Sequence, residues 1–128
     1  MGKQLGQFAV IVLAAGASRR FGSNNLVHPI EGRPLLEHVL DTFEQVNLRQ
    51  RIVVTGGVHQ QDLDTLLKAR HGWDVCINSR AAEGMGTSIA AGAHMLRDVA
   101  GVFLCPADMP RIRPTDIEET AERFTGPV

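Results

Sequence analysis

The sequence predicts a doubly wound α/β fold, a mainly parallel sheet in three αβα layers, and two observations carry that prediction. Four short β-rich runs, Phe8–Leu13, Arg51–Thr55, Trp73–Ile77 and Val102–Cys105, are mostly continuous in apolar character rather than alternating. Strands buried on both faces read that way. A helical pattern follows each run, giving the order βαβαβαβα, and right-handed crossovers then place helices on both faces of the sheet. The expected strand order is third, second, first, fourth, with the first strand central. Cys76 and Cys105 would then lie on opposite outer strands, too far apart to bond.

Each helix carries its own signals. In the first, Pro34 suits the N1 position, and Leu35, Leu36, Val39, Leu40 and Phe43 form one apolar stripe. The second runs from Gln60 to about Arg70, with Leu63, Leu66 and Leu67 inward and Gly72 as its stop. A third starts near Thr87 or Ser88 and places Ile89, Ala93 and Leu96 on one face. The fourth begins around Pro114, where Thr115 and Glu118 have capping-box spacing and Ile117, Ala121 and Phe124 point inward.

Composition bounds the function. The 128 residues (1–128) read as a single domain, 44% hydrophobic and 21% charged. Thirteen basic residues against fourteen acidic ones leave a net charge of −1, so no electrostatic footprint for nucleic acid or an anionic membrane is present. A phosphate ligand would be held by local geometry and a few placed cations. The apolar run from Phe8 to Ala15 is too short to span a bilayer and follows no signal-peptide pattern. A cytoplasmic location is expected by default. The two cysteines lack CxxC or Cys/His spacing and read as small buried hydrophobes, and the five histidines form no metal-binding helix face.

Three segments carry candidate chemistry. The first, Leu13-Ala14-Ala15-Gly16-Ala17-Ser18-Arg19-Arg20-Phe21-Gly22, directly follows the first strand. Small residues there let the backbone approach a ligand and aim N–H groups at phosphate oxygens. Ser18 adds a hydroxyl and Arg20 a fork that pairs with phosphate. No Gly-Lys-Ser/Thr closes the loop and no GxGxxG occurs, so it is neither a Walker loop nor a dinucleotide fingerprint. The plainer account is a glycine loop with two solvated arginines. The second, Cys105-Pro106-Ala107-Asp108-Met109-Pro110, places a lone carboxylate at a strand end, suited to Mg²⁺ or to an ordinary turn hydrogen bond. The third, Glu83-Gly84-Met85-Gly86-Thr87-Ser88, opens the third helix with a polar edge that tolerates anions or simply caps it. All three fall at C-terminal ends of consecutive parallel strands, where open α/β sheets bind ligands.

The order LAAGxSxRxG, Gly32-Arg33-Pro34-Leu35-Leu36, EGMGTS, then Ala107-Asp108-Met109-Pro110 resembles the MobA/MocA-like nucleotidyltransferases, which include molybdenum-cofactor guanylyl- and cytidylyltransferases. The resemblance covers nearly the whole chain. It implies a Rossmann-like fold of the nucleotide-diphospho-sugar transferase type. It also implies that Leu13, Ala14, Ala15, Gly16 and Ser18 wrap a nucleoside triphosphate, with Arg20 on its phosphates and Asp108 as a Mg²⁺ ligand. Asn78, Gly84, Met85 and Ser88 would line the base and acceptor side. The implied reaction has a terminal phosphate of the acceptor, molybdopterin for example, attack the α-phosphorus, and pyrophosphate leaves. Alanine at position 15 accompanies cytidine nucleotides in this family, so CTP is expected over GTP.

Two departures from the family pattern are visible. The loop usually ends GxxK, and here Gly22-Ser23-Asn24-Asn25 puts Asn25 in the lysine position. Members also continue through a further strand and a second acidic ligand, so the chain is expected to lack the family's C-terminal strands. Its fourth strand would then present an apolar sheet edge that invites self-association. A binding or molybdoenzyme-maturation accessory protein with impaired catalysis is one alternative. A transferase of sugar phosphates or an isoprenoid precursor is another.

Overall fold

A computed structural model describes residues 5–15, 29–30, 33–56, 60–107 and 112–123, with side chains at 29–30, 33–35 and 60–63 excepted. In chain order the elements are β1 (Phe8–Leu13), β2 (Pro29–Ile30), β3 (Arg33–Pro34), α1 (Leu35–Glu44), β4 (Gln50–Thr55), α2 (Gln60–Lys68), β5 (Asp74–Ile77), α3 (Met85–Ala93), β6 (Gly101–Pro106) and α4 (Pro114–Glu122). Short 3₁₀ turns cover Leu5–Gln7 and Ala81–Glu83.

The four long strands form a parallel sheet in the order β5-β4-β1-β6. This is the third-second-first-fourth order the sequence predicts, with β1 at the centre. Every residue of β1 is buried, because both faces of a central strand are covered. On one face Val10, Val12 and Val53 pack with Leu36, Val39, Leu40 and Phe43 of α1, Leu67 of α2, and Ile117 and Ala121 of α4. On the other, Ile11, Leu13, Ile52 and Val54 pack with Ile89 of α3 and with Met95 and Leu96 just beyond it. These are the three expected layers. Cys76 and Cys105 sit on the two outer strands and form no disulfide.

Several local expectations are corrected. The outer strands alternate in burial, exposing Val75 and Ile77 of β5 and Val102 and Leu104 of β6. An outer strand has a sheet neighbour on one side alone, so less of it is covered than of the central strand. Helix α1 starts at Leu35, not Pro34, because Pro34 pairs with Pro29 in the antiparallel β2–β3 ribbon. Helix α3 starts at Met85, two residues before Thr87 and three before Ser88, and Ala93 is exposed. Ser88 and Gly92 are the buried ridge instead, since a Cβ at Gly92 would stand 2.8 Å from Ile11 Cγ2. Helix α4 is capped by Arg113 and Asp116 rather than by Thr115 and Glu118: the Asp116 carboxylate accepts the Arg113 backbone N–H at 3.0 Å. Phe124 and the Leu63 side chain lie outside the described residues.

Candidate functional site

The parallel strands put all their C-terminal ends along one edge of the sheet, and three backbone hydrogen bonds carry the ladders past the strand ends. Ala14 N–H donates to Val54 C=O at 2.8 Å, Asn78 N–H to Thr55 C=O at 2.6 Å, and Ala107 N–H to Leu13 C=O at 3.0 Å. The last bond joins the residue before Asp108 to the start of the glycine loop. Leu13, Ala14, Ala15 and Ala107 are all buried.

Gly56, at the end of β4, makes this convergence possible. A Cβ there would stand 2.7 Å from the Ala15 carbonyl oxygen and 3.2 Å from Ala81 Cβ. Only a residue without a side chain lets the β4 end, the first loop and the Ala81–Glu83 turn meet so closely. Sequence reasoning did not single out Gly56. The available signal was a Gly56-Gly57 pair directly after an apolar strand.

Asn78 is the polar hub of the third segment. Its Oδ1 accepts the Arg80 backbone N–H at 3.0 Å, and its Nδ2 donates to Thr87 Oγ1 and Ser88 Oγ, each at 2.9 Å. A backbone N–H can only donate, so this contact fixes which amide atom is oxygen. Thr87 Oγ1 in turn lies 2.7 Å from Gly84 C=O and 3.0 Å from Arg80 C=O, to which its hydroxyl donates. Gly84 holds φ 131° and ψ 161° ahead of α3, a backbone region that only glycine occupies without strain. Met85 is the exposed first residue of the helix. Beside it Arg80 and Glu83 pair on the surface at 2.8 Å, and the guanidinium hydrogen bond holds the Glu83 carboxyl below its ordinary range.

The described site therefore brings Leu13, Ala14 and Ala15 together with the Asn78–Ser88 segment through Gly56 and Ala81. Asn78, expected to line the base and acceptor side, has its amide engaged by protein groups. Gly16, Ser18, Arg19, Arg20, Gly22, Asn25, Asp108, Met109 and Pro110 lie outside the described residues. Among the described residues no cluster of His, Cys, Asp or Glu has metal-binding geometry, and no helix is long and apolar enough to cross a membrane. A cavity of about 460 Å³ elsewhere is lined by Glu37, Glu44, Arg51, Leu66 and Arg70 among others. There Arg70 already pairs with Glu37, Asp41 and Glu44, which marks a structural ion cluster.

The four-stranded parallel sheet flanked by helices on both faces defines a domain of the nucleotide-diphospho-sugar transferase fold. The chain belongs to the MobA-like NTP transferase domain family, whose model matches residues 10–127. It is 28% identical over 115 residues to a protein of Pyrococcus horikoshii named a probable molybdenum cofactor guanylyltransferase, covering 90% of this chain and 55% of the relative. It is 32% identical over 117 residues to the bifunctional protein GlmU of Oceanobacillus iheyensis, covering 88% of this chain and 24% of that protein. A nucleotidyl transferase from Methanothermobacter thermautotroptrophicus shares the fold with a TM-score of 0.78 at 19% identity, covering 94% of this chain and 59% of that one. The chain thus spans about half the length of the first relative and about a quarter of the second.

Proposed function

We propose that this chain binds a nucleoside triphosphate with Mg²⁺ at the C-terminal edge of its sheet, in the manner of enzymes that transfer CMP or GMP to molybdopterin. The observation that supports this reading is the Ala107–Leu13 hydrogen bond, which joins the residue before Asp108 in sequence to the residue that opens the glycine-loop segment. The hard carboxylate oxygen of Asp108 suits Mg²⁺, with triphosphate oxygens completing the donor set. Bound Mg²⁺ would neutralise charge on the departing pyrophosphate. The backbone N–H groups after Ala15, the Ser18 hydroxyl and the Arg20 fork would hold the phosphates in line for attack by the acceptor's terminal phosphate. A cytoplasmic location is part of the same proposal.

CTP is favoured over GTP, because the Ala15 methyl narrows the base slot against a purine. The guanylyltransferase named among the relatives supports GTP as the second reading. Asn25 in the family's lysine position favours binding with impaired turnover, as an accessory protein would show. The likeness to GlmU keeps a sugar-phosphate acceptor among the alternatives. Nucleotide titration beside a pyrophosphate-release assay separates these: binding with release supports an enzyme, binding alone the accessory role, and neither refutes the proposal. Self-association is proposed through the exposed Val102 and Leu104 face of β6. A monomer in sedimentation at high concentration would refute that part.

A further inference from the structure

Strand β5 ends the sheet on one side: β4 pairs with one flank, and among the described residues no strand pairs with the other. Asn78 N–H donates to Thr55 C=O, so the main chain of Asn78 points toward β4. Main-chain polar groups alternate in direction along a strand. Those of Cys76 and Asp74 therefore also face β4, while the N–H and C=O of Val75 and Ile77 point out from the sheet edge. Val75 and Ile77 are 40% and 57% exposed, and their side chains share the sheet face opposite that of Cys76. Edge strands are ordinarily blunted by lysine, proline or a bulge. Asp74-Val75-Cys76-Ile77 contains neither lysine nor proline, and its register with β4 runs without a bulge. Its charge, Asp74, is taken up by Gln50 and Arg97.

We propose that β5 is a dimerisation edge, across which a second copy of this chain adds its own β5 antiparallel about a two-fold axis at Cys76. The strand is complementary to itself in that arrangement. Val75 falls opposite Ile77 of the second copy, and the symmetry repeats the pair. Each outward N–H donor then meets a C=O acceptor, so main-chain partial charges of opposite sign face one another in both pairs. Exposed apolar side chains meet across the same pairs. Asp74 falls opposite Asn78 of the second copy rather than opposite a like charge. The result is one sheet continuous through both copies. Because the Asn78–Ser88 segment follows β5 directly, this interface adjoins the candidate site, and it is separate from the Val102 and Leu104 face of β6.

Cys76 reports the register. It falls opposite its own copy in a non-hydrogen-bonded pair, where Cα atoms lie about 4.5 Å apart, within the range of about 4.4–6.8 Å that a disulfide spans. Diamide is the oxidant: a pair of Cys76 thiols becomes one disulfide, and their protons and electrons reduce diamide to its hydrazine. Sedimentation velocity under reducing conditions, and non-reducing electrophoresis after diamide, are run on four proteins: the wild type, Cys76→Ser, Val75→Lys with Ile77→Lys, and Val75→Glu with Ile77→Lys. The wild type should dimerise and be trapped by diamide, and Cys76→Ser should dimerise without being trapped. The double-lysine change sets like charges opposite one another in both pairs. It should raise the dimer dissociation constant at least tenfold and abolish trapping. The glutamate–lysine combination sets opposite charges across the same pairs and should restore both. Val75 and Ile77 are exposed, so these changes leave the core untouched. A wild type that stays monomeric and untrapped at high concentration would overturn the proposal, as would a dimer that diamide does not trap. So would a glutamate–lysine variant no better than the double-lysine one. A dimer that survives the double-lysine change would also overturn it and assign association to another face, such as that of β6.

Discussion

The amide of Ala107 donates to the carbonyl of Leu13 at 3.0 Å, so the segment entering the Asp108 turn is laced to the segment entering the glycine loop. The bond continues the β1–β6 ladder, which ends with Leu13 opposite Pro106. A phosphate-binding loop and a metal-binding carboxylate gain from a fixed mutual distance, and adjacent parallel strands are a rigid way to provide it.

Gly56→Ala should damage ligand binding more than it damages the fold. The added methyl would stand 2.7 Å from the Ala15 carbonyl oxygen, and backbone gives way less easily than a side-chain tip. Overpacking of this kind costs about 1–3 kcal/mol. Chemical denaturation should show that loss, and nucleotide affinity should fall further, because the loop itself is displaced.

Gly92→Ala supplies the contrast. Its methyl would meet Ile11 Cγ2 at 2.8 Å and Val54 Cγ2 at 3.1 Å, in the core beneath α3. A helix-propensity gain of up to about 1 kcal/mol offsets part of an overpacking cost of about 1–3 kcal/mol. Denaturation should register a net loss of stability, with nucleotide affinity close to that of the wild type.

Asp116 should make α4 sensitive to acid. The Arg113 guanidinium, and then the Arg113 backbone N–H, hold its carboxyl below the ordinary value of 3.8. A depressed folded-state pKa means stability that is present above the unfolded pKa and lost as pH falls through the folded one. Asp116→Asn should therefore melt below the wild type at neutral pH, and the gap should close below about pH 4. A gap that persists unchanged into acid would assign the effect to shape rather than charge.

Asn25→Lys should tighten triphosphate binding. A charge-assisted hydrogen bond contributes about 1.5–3 kcal/mol, roughly ten- to a hundredfold in affinity. Asp108→Ala should abolish the Mg²⁺ dependence of binding. Calorimetric titration with CTP, with and without Mg²⁺, checks both. An unchanged affinity in Asn25→Lys would mean that the loop does not cradle phosphates.

The sheet was legible because β1 is apolar at every position, from Phe8 to Leu13, as a strand covered on both faces must be. Its central place followed from requiring the Leu13 and Asp108 segments to converge. Less legible was anything that depends on how far a neighbour reaches. The openness of Val102 and Leu104 depends on what flanks β6, which local pattern does not encode. The burial of Gly92 depends on where Ile11 and Val54 project from the sheet. At the site, Asn78 was named from the family pattern as a lining residue, yet its hydrogen bonds to Thr87, Ser88 and Arg80 arise only when the turn after β5 closes. The cap of α4 was misplaced because Arg113 does not belong to the usual capping residues, while Asp116 satisfies its backbone N–H from the other side.

The most direct test of nucleotide binding at this edge is a thermal-shift panel of CTP, GTP, ATP and UTP, each with and without Mg²⁺. A ligand present at a hundredfold its dissociation constant stabilises the folded state by about 2.7 kcal/mol, enough to raise Tm by several degrees. CTP should give the largest rise, and Mg²⁺ should enlarge it. A larger rise with GTP would move the assignment to the guanylyl branch, whereas no rise with any nucleotide, Mg²⁺ present or absent, would contradict the account.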